Sequence, residues 1–434
     1  METKEIKSKF KKYPEYKDSG VEWLGNIPKE WNAVRMNYLF KDISIKNKSG
    51  ETLLSVTQDQ GVIPREWVEN RVVMPSGNLE SFKFIRKGDF AISLRSFEGG
   101  LEYCHHDGII SPAYTVLKKN DELFEGYYKY LFKSFSFIQE LQTCIVGIRE
   151  GKNISYSILS YSHLPIPGFI EQTAIANFLD EKTKKIDQVI SAKEKLISLL
   201  QERKQIVIQN AVTRGLNPNV KLKDSGVEWI GMIPEHWEVM KVTHLYNQIG
   251  SGTTPTAGNL KYYDGKINFL QTGDLNDGNI FKTKKTLKEK ALKDFSSLKL
   301  YSVNSLVMAM YGATIGKLGI LKVETVTNQA CCVLSNSNKV LSQYMFYVLR
   351  AFREKIISFG YGGGQPNISQ DLIKSLRFPI PLNVSEQELI IKSLDKKLNK
   401  IDKIISLQQS LITKLKEYKQ TLIDSAVTGK IKIN

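Results

Sequence analysis

From Glu171 to Leu216 apolar residues recur at spacings of three and four, at Ile175, Leu179, Ile186, Val189, Leu196, Leu200 and Val207. This is a heptad seam, not the alternation of a strand, and it predicts one long helix. The pattern returns from Glu386 to Ile431, with Ile390, Leu394, Ile401, Ile404, Leu411, Leu415 and Leu422 on the seam. At an offset of 215, Glu171–Thr213 and Glu386–Thr428 agree at 21 of 43 positions, too many for unrelated amphipathic helices, so the chain contains a duplication. A helix of about 40 residues is roughly 60 Å long, and an exposed seam of that length needs a partner. The predicted partner is the other copy, packed antiparallel, with a globular domain at each end and a pseudo-twofold axis between them. The C-terminus then returns to the N-terminus. The alternatives are parallel alignment, or each helix packing on its own domain. Lys182 with Lys397, and Lys193 with Gln408, occupy equivalent seam positions and are expected to set register or face another subunit.

A second repeat precedes each globular segment. KDSGVEWLGNIPKEW at Lys17–Trp31 and KDSGVEWIGMIPEHW at Lys223–Trp237 match at 11 of 15 positions. Gly and Pro punctuate both copies, and Trp23, Trp31, Trp229 and Trp237 supply apolar anchors, so each reads as an irregular clasp on a neighbouring element. Between clasp and helix lie Asn32–Pro167 and Glu238–Pro381, which differ inside but end alike, as GKNIS then HLPIP and as GQPNIS then RFPIP. Short apolar runs such as Phe90–Leu94 and Ser305–Met310, glycine-rich turns, and helical patches near Glu122–Phe137 and Ser342–Ile357 make each an α+β domain. The expected order is a basic leader (1–16), a first globular domain with its clasp (17–167), a spacer helix (168–216), a second globular domain with its clasp (217–381) and a second spacer helix (382–434). The fold class is α+β, two globular domains separated by two long antiparallel helices.

The bulk numbers sharpen this picture. A chain of 434 residues with 41% apolar content has the material for several cores. Lys and Arg outnumber Asp and Glu by 61 to 45, a formal charge of +16 that favours a polyanionic partner. Cys104, Cys144, Cys331 and Cys332 form no C-x-x-C spacing and read as reduced thiols, with no zinc site and no disulfide framework. The N-terminal stretch lacks an apolar signal region, and the apolar segment Ser305–Leu321 is broken by Lys317, so a cytoplasmic protein is expected.

Candidate catalytic motifs fail one after another. Gly312-Ala-Thr-Ile-Gly316-Lys317-Leu318 has three residues between its glycines, and Leu where a phosphate loop needs Ser or Thr for magnesium. His105-His106 has no third ligand at helical spacing. No N-P-P-[FY] or D-P-P-[FY] tetrapeptide is present, so the chain is not expected to bind a methyl donor or transfer a methyl group. What remains are loop residues of the types that contact phosphates and base edges. In the first domain these are Gln58, Arg71, Arg86, Arg95, Arg149, Lys152 and Asn153; in the second, Thr254, Lys261, Tyr262, Tyr263, Tyr311, Lys317, Gln365 and Asn367. Lys152-Asn153 and Gln365-Pro-Asn367 lie at matching places in otherwise divergent domains, where Asn and Ser are also suited to cap the following helix.

This doubled order resembles the specificity subunit of type I restriction-modification systems over nearly the whole chain. The residues that carry the resemblance are the two KDSGVEW clasps, the P-I-P exits at Pro165–Pro167 and Pro379–Pro381, and the E-Q helix starts at Glu171-Gln172 and Glu386-Gln387. The A-V-T endings at Ala211–Thr213 and Ala426–Thr428 belong to the same set. SGTTP at Ser251–Pro255 and KYYDGKINFLQTGDL at Lys261–Leu275 are similar to the opening of that family's target-recognition domains. The resemblance implies that each globular domain reads one half of a split, asymmetric site in double-stranded DNA. It implies helices that fix the spacing and dock two modification subunits, and two restriction subunits in the full complex. S-adenosylmethionine, ATP and magnesium would then sit on the partners and none in this chain, which is not itself an enzyme. The competing class is a coiled-coil adaptor for protein partners; a nuclease or methyltransferase complete in one chain lacks its motifs.

Overall fold

The structure is a computed structural model that describes residues 10–68, 79–147, 153–256, 259–361 and 367–433. Two compact units divide the chain, Met1–Glu194 with Gln408–Asn434, and Lys195–Leu407.

The first unit is built on a four-stranded antiparallel sheet in the order Phe40–Ile43, Thr115–Lys119, Phe90–Ile92, Glu102–Tyr103. A hairpin, Leu54–Thr57 with Gly61–Pro64, and a ladder of Lys83–Ile85 with Gly108–Ile110 add Leu54, Val62, Ile85 and Ile110 to the core around Ala91 and Val116. A helix at Glu125–Leu131 brings buried Tyr127 and Tyr128 alongside an aromatic cluster of Phe40, Phe90 and Phe132, whose edge-to-face and tilted rings are 4.9 to 5.8 Å apart.

The second unit holds a five-stranded mixed sheet in the order Gln248–Gly250, Cys331–Ser335, Leu306–Ala309, Leu318–Leu321, Gly278–Ile280. Leu306–Ala309 is apolar without alternation because both of its faces are covered. Leu306 and Met308 join the core beneath the helix Ser342–Ala351, while Val307 and Ala309 enter a second core with Leu270 and Tyr301. A smaller sheet of Lys285–Leu287, Tyr263–Leu270 and Thr325–Thr327 encloses its own cluster of Phe269, Leu287, Ala291, Leu298 and Val326.

Long helices span Phe169–Arg214 and Val384–Val427. Each is followed by a glycine in the left-handed region, Gly215 at φ +71° and Gly429 at φ +72°, the usual device for ending a helix. Inside the first unit, Lys419 Nζ lies 2.7 Å from both carboxylate oxygens of Asp187, and Lys193 Nζ donates to Gln408 Oε1 at 2.8 Å. Advancing along one helix therefore means retreating along the other, and the pairing is antiparallel. Inside the second unit, Lys204 bonds Asp402 at 2.5 Å, and a Cβ on Gly215 would lie 3.7 Å from Glu386 Oε1, the same sense again. Asp187–Lys419 and Asp402–Lys204 are one ion pair repeated at the 215-residue offset. Lys193 and Gln408 bond each other, which makes them a polar register point on the seam. The Lys182 ammonium instead lies over the Phe178 ring, 5.6 Å from its centroid.

The buried face departs from the predicted seam along part of its length. Ile175, Leu179, Ile186, Ile390, Leu394, Ile401 and Leu422 are buried, and Leu200, Val207, Leu411 and Leu415 are half-buried. Val189, Leu196 and Ile404, however, are 44%, 41% and 43% exposed, whereas Ile190, Ile208, Leu398 and Ile412 are buried. A helix with 3.6 residues per turn drifts about 20° per heptad against a strict seven-residue repeat, so the inward face steps one position toward the C-terminus.

The clasps are more regular than expected, each being an antiparallel hairpin: Tyr16–Asp18 with Asn26–Pro28, and Leu222–Asp224 with Met232–Pro234. Trp31 and Trp237 are fully buried, and each donates its indole N–H to the glutamate that opens a long helix, Trp31 to Glu171 at 2.9 Å and Trp237 to Glu386 at 3.0 Å. The next residue repeats the logic. Gln172 donates to the Pro167 carbonyl and accepts from the Phe124 N–H; Gln387 donates to Pro381 and accepts from Leu341. The E-Q pair is thus a structural anchor between helix and globular domain. In the first unit the first and last described segments meet, Lys432 N–H donating to the Lys11 carbonyl at 2.8 Å. No helix among the described residues is long and apolar enough to cross a membrane.

Candidate nucleic-acid interface

In the first unit, Gln58 sits on the tip of the Leu54–Thr57/Gly61–Pro64 hairpin and Arg95 just before the helical turn Ser96–Gly99; both are exposed. The Gln58 side-chain amide donates to the Arg95 carbonyl at 3.3 Å, joining the two loops. Lys133 completes the junction, its ammonium donating to the Gln58 carbonyl (3.1 Å), the Gly99 carbonyl (2.9 Å) and Glu102 Oε1 (2.6 Å). An ammonium has three N–H donors and all three are used, so Lys133 organises these loops and has none left for a phosphate. Glu102 is fully buried, and its Oε2 has no hydrogen-bond partner among the described residues. Burial pushes its carboxyl up to about 7 against the opposing pull of Lys133. Gln58, Gly99, Glu102 and Lys133 line an open cleft of about 1090 Å³, shared with His105, Lys129, Lys184 and Gln188. Burial, then Lys129, lowers the His105 pKa. Arg86 is exposed, with its guanidinium 5.9 Å from the Phe84 ring centroid.

In the second unit, Tyr263 donates to the Pro255 carbonyl at 2.7 Å, and the Thr254 hydroxyl donates to Gln329 at 2.8 Å, so both brace the 251–256 segment. Lys261 lies over the Tyr262 ring, and the Tyr262 hydroxyl donates to Asp294 at 3.2 Å. Tyr311 and Lys317 flank the turn that joins Leu306–Ala309 to Leu318–Leu321. Gly312 and Gly316 there have φ of +79° and +76°, so the stretch that resembled a phosphate loop is a hairpin turn whose glycines serve the backbone. Asp277 accepts from the Leu318 N–H and is gripped by both terminal nitrogens of Arg353, fixing that turn from below.

The matching Asn residues make similar backbone pairings: Asn153 pairs with Val146, and Asn367 pairs with Tyr361. Arg149, Lys152 and Gln365, like Arg71, lie outside the described residues. Capping of the next helix falls to Ser369, which accepts from the Leu372 N–H, and not to Asn367.

Two further observations bear on chemistry. All four cysteines are free and buried, and burial pushes the thiols of Cys104, Cys331 and Cys332 up to about 12, far from the reactive range. No group of three or more His, Cys, Asp or Glu among the described residues is placed to hold a metal ion. The charge is unevenly divided, with sixteen Lys and Arg against fifteen Asp and Glu over 32–167, but eighteen against nine over 238–381. A lysine-dense stretch from Lys282 to Lys293, absent from the expected contact residues, supplies much of that difference; its signal in the sequence is the run itself.

Comparison with known proteins agrees with the geometry. A family model described as type I restriction modification DNA specificity domain matches residues 234–417. The type I restriction enzyme MjaVIII specificity subunit of Methanocaldococcus jannaschii is 24% identical over 431 residues, covering 94% of each chain. The StySPI specificity subunit of Salmonella potsdam is 22% identical over 320 residues, 70% of this chain and 65% of its own. Among solved structures, one from a study of assembly and conformational transition of the type I R-M system superposes with a TM-score of 0.71 at 14% identity, covering 92% of this chain and 98% of the other. The HsdS subunit of Thermoanaerobacter tengcongensis gives 0.55 at 15% identity over 93% and 98%. Residues 234–417 thus match a type I restriction modification DNA specificity domain, and over nearly its whole length the chain, with its two anchored α+β units and repeated long helices, is similar to type I restriction enzyme specificity subunits.

Proposed function

We propose that this chain selects the DNA sequence for a type I restriction-modification complex, each globular unit reading one half of a bipartite, asymmetric site. The observation that carries this reading is the repeat itself: identical anchors, Trp31–Glu171 and Trp237–Glu386, hold two heads whose exposed loops differ. Two different heads prefer two different half-sites, as twofold dimers prefer palindromes at set spacing. The long helices fix the gap. Loop residues such as Gln58, Arg95, Thr254, Lys261 and Asn367, with Arg71, Arg149, Lys152 and Gln365, contact bases and phosphates.

Chemistry belongs to partners in this reading. The chain is non-catalytic, and S-adenosylmethionine, ATP and magnesium are bound by two modification and two restriction subunits in the cytoplasm. Removing the target base from the stack is the work of the modification subunit's pocket. In the second unit, Leu196, Leu199, Ile206, Ile404 and Leu407 are 41 to 58% exposed on the helices, an apolar strip suited to a partner's helices. Methylome sequencing of cells that express the chain with its modification subunit tests the proposal. A methylated two-part sequence that disappears in a Leu199→Asp/Leu407→Asp variant is expected; no sequence-specific methylation in the parent complex would favour the adaptor reading.

A further inference from the structure

Between Lys282 and Lys293 the second unit places six lysines against one glutamate. This stretch wraps the small sheet and its short helix Glu289–Asp294. Two of the six are spent within the fold: Lys284 Nζ donates to the Gly273 carbonyl at 3.4 Å and Lys288 Nζ to the Leu260 carbonyl at 2.9 Å. Lys282, Lys285, Lys290 and Lys293 are exposed and make no ion pair among the described residues. Their support is fixed. Thr283 accepts from the Phe269 N–H and donates to the Lys285 carbonyl, pinning the turn that bears Lys282 and Lys285. Lys290 and Lys293 lie three residues apart on one helical face, away from buried Ala291.

Like charges gathered on one short stretch repel one another, and a polyanion removes that cost. Lysine is a flexible point charge that suits phosphate without reading a base, unlike the forked donors of arginine. The cluster also rests on a core of its own, so it is a separable platform beside the main sheet.

We infer that the small sheet of the second unit is a phosphate-gripping platform on which Lys282, Lys285, Lys290 and Lys293 hold duplex DNA whatever its sequence, making this head the anchor of the complex. The inference rests on the DNA-reading function proposed above and adds a division of labour to it.

The test is salt-dependent binding of the complete chain to a random-sequence duplex of about 30 base pairs, by fluorescence anisotropy from about 50 to 200 mM salt. Each phosphate contact contributes about 0.9 to the slope of log affinity against log salt, so changing all four lysines to glutamine lowers the slope by about 2 to 4. Lys46→Gln/Lys48→Gln/Lys118→Gln in the first head, also exposed, changes it by less than about 1. The methylated sequence of a complex carrying the four-lysine variant stays the same. An unchanged slope in a variant with the parent's circular dichroism and melting curve overturns the inference, as does an equal effect from the first-head variant. A changed methylated sequence would move these lysines to base reading and also overturn it. Failure of the parent chain to bind any duplex would instead sink the DNA-reading function itself.

Discussion

Trp31 meets Glu171 in the first unit as Trp237 meets Glu386 in the second, and Gln172 and Gln387 bridge the same two backbone groups in each. The heads fixed by these shared anchors differ in sheet size and strand order, and only the second carries a large excess of positive charge. The anchoring indoles and glutamines are buried and leave little room for change, because a buried indole N–H or amide without its partner is costly. The loops and outer strands meet solvent, where substitutions cost little. One scaffold therefore supports two unlike surfaces, and the difference between them defines what each head does.

The largest expected effect comes from exchanging the whole of Asn32–Pro167 for the corresponding segment of a relative. One half of the methylated site changes completely and the other is retained; a change in both halves would show that the heads do not read separately. Close behind is the insertion of one helical turn into both long helices, which lengthens the gap while leaving the half-sites intact. An unchanged gap in the methylome would end the idea of the helices as a ruler.

The anchors supply a graded test of equivalence. Trp31→Ala and Trp237→Ala each remove a fully buried indole and are expected to destabilise by about 3–5 kcal/mol. Trp31→Phe and Trp237→Phe keep an aromatic ring but lose the bond to the glutamate, for about 1.5–3 kcal/mol. Urea titrations should give paired losses equal to within about 1 kcal/mol; a large loss in one unit only would break the symmetry of the scaffold.

A smaller effect belongs to the first head alone. Buried Glu102 holds its proton up to about pH 7, whereas an unfolded glutamate releases it near 4.5. Between those values the folded state binds more protons, so stability falls as pH rises. The decline is on the order of 1–3 kcal/mol from pH 5 to 8 and should be absent in Glu102→Gln, as read from urea midpoints. An identical pH profile in that variant would remove Glu102 from the account.

The helices, the duplication, the clasps and the two α+β segments were legible because each rests on local information: spacing of apolar residues, turn residues, and repeats at fixed offsets. The candidate contact residues were legible only as residue types. Gln58 and Arg95 are 37 residues apart in sequence, and only the fold joins their loops through Lys133.

What the sequence by itself determined is therefore the plan: two heads, two long helices, an excess of basic charge, and E-Q pairs at equivalent helix starts. Tertiary structure decided which face of each helix is buried, exposing Val189, Leu196 and Ile404 while covering Ile190 and Leu398. It also brought Lys193 against Gln408, turned the E-Q pairs into anchors, and separated lysines tied to carbonyls from those left facing solvent. The physical reason is one of range. Periodicity is set by neighbours three and four residues away, but burial and hydrogen bonding depend on the drift of one helix against another and on partners more than a hundred residues distant.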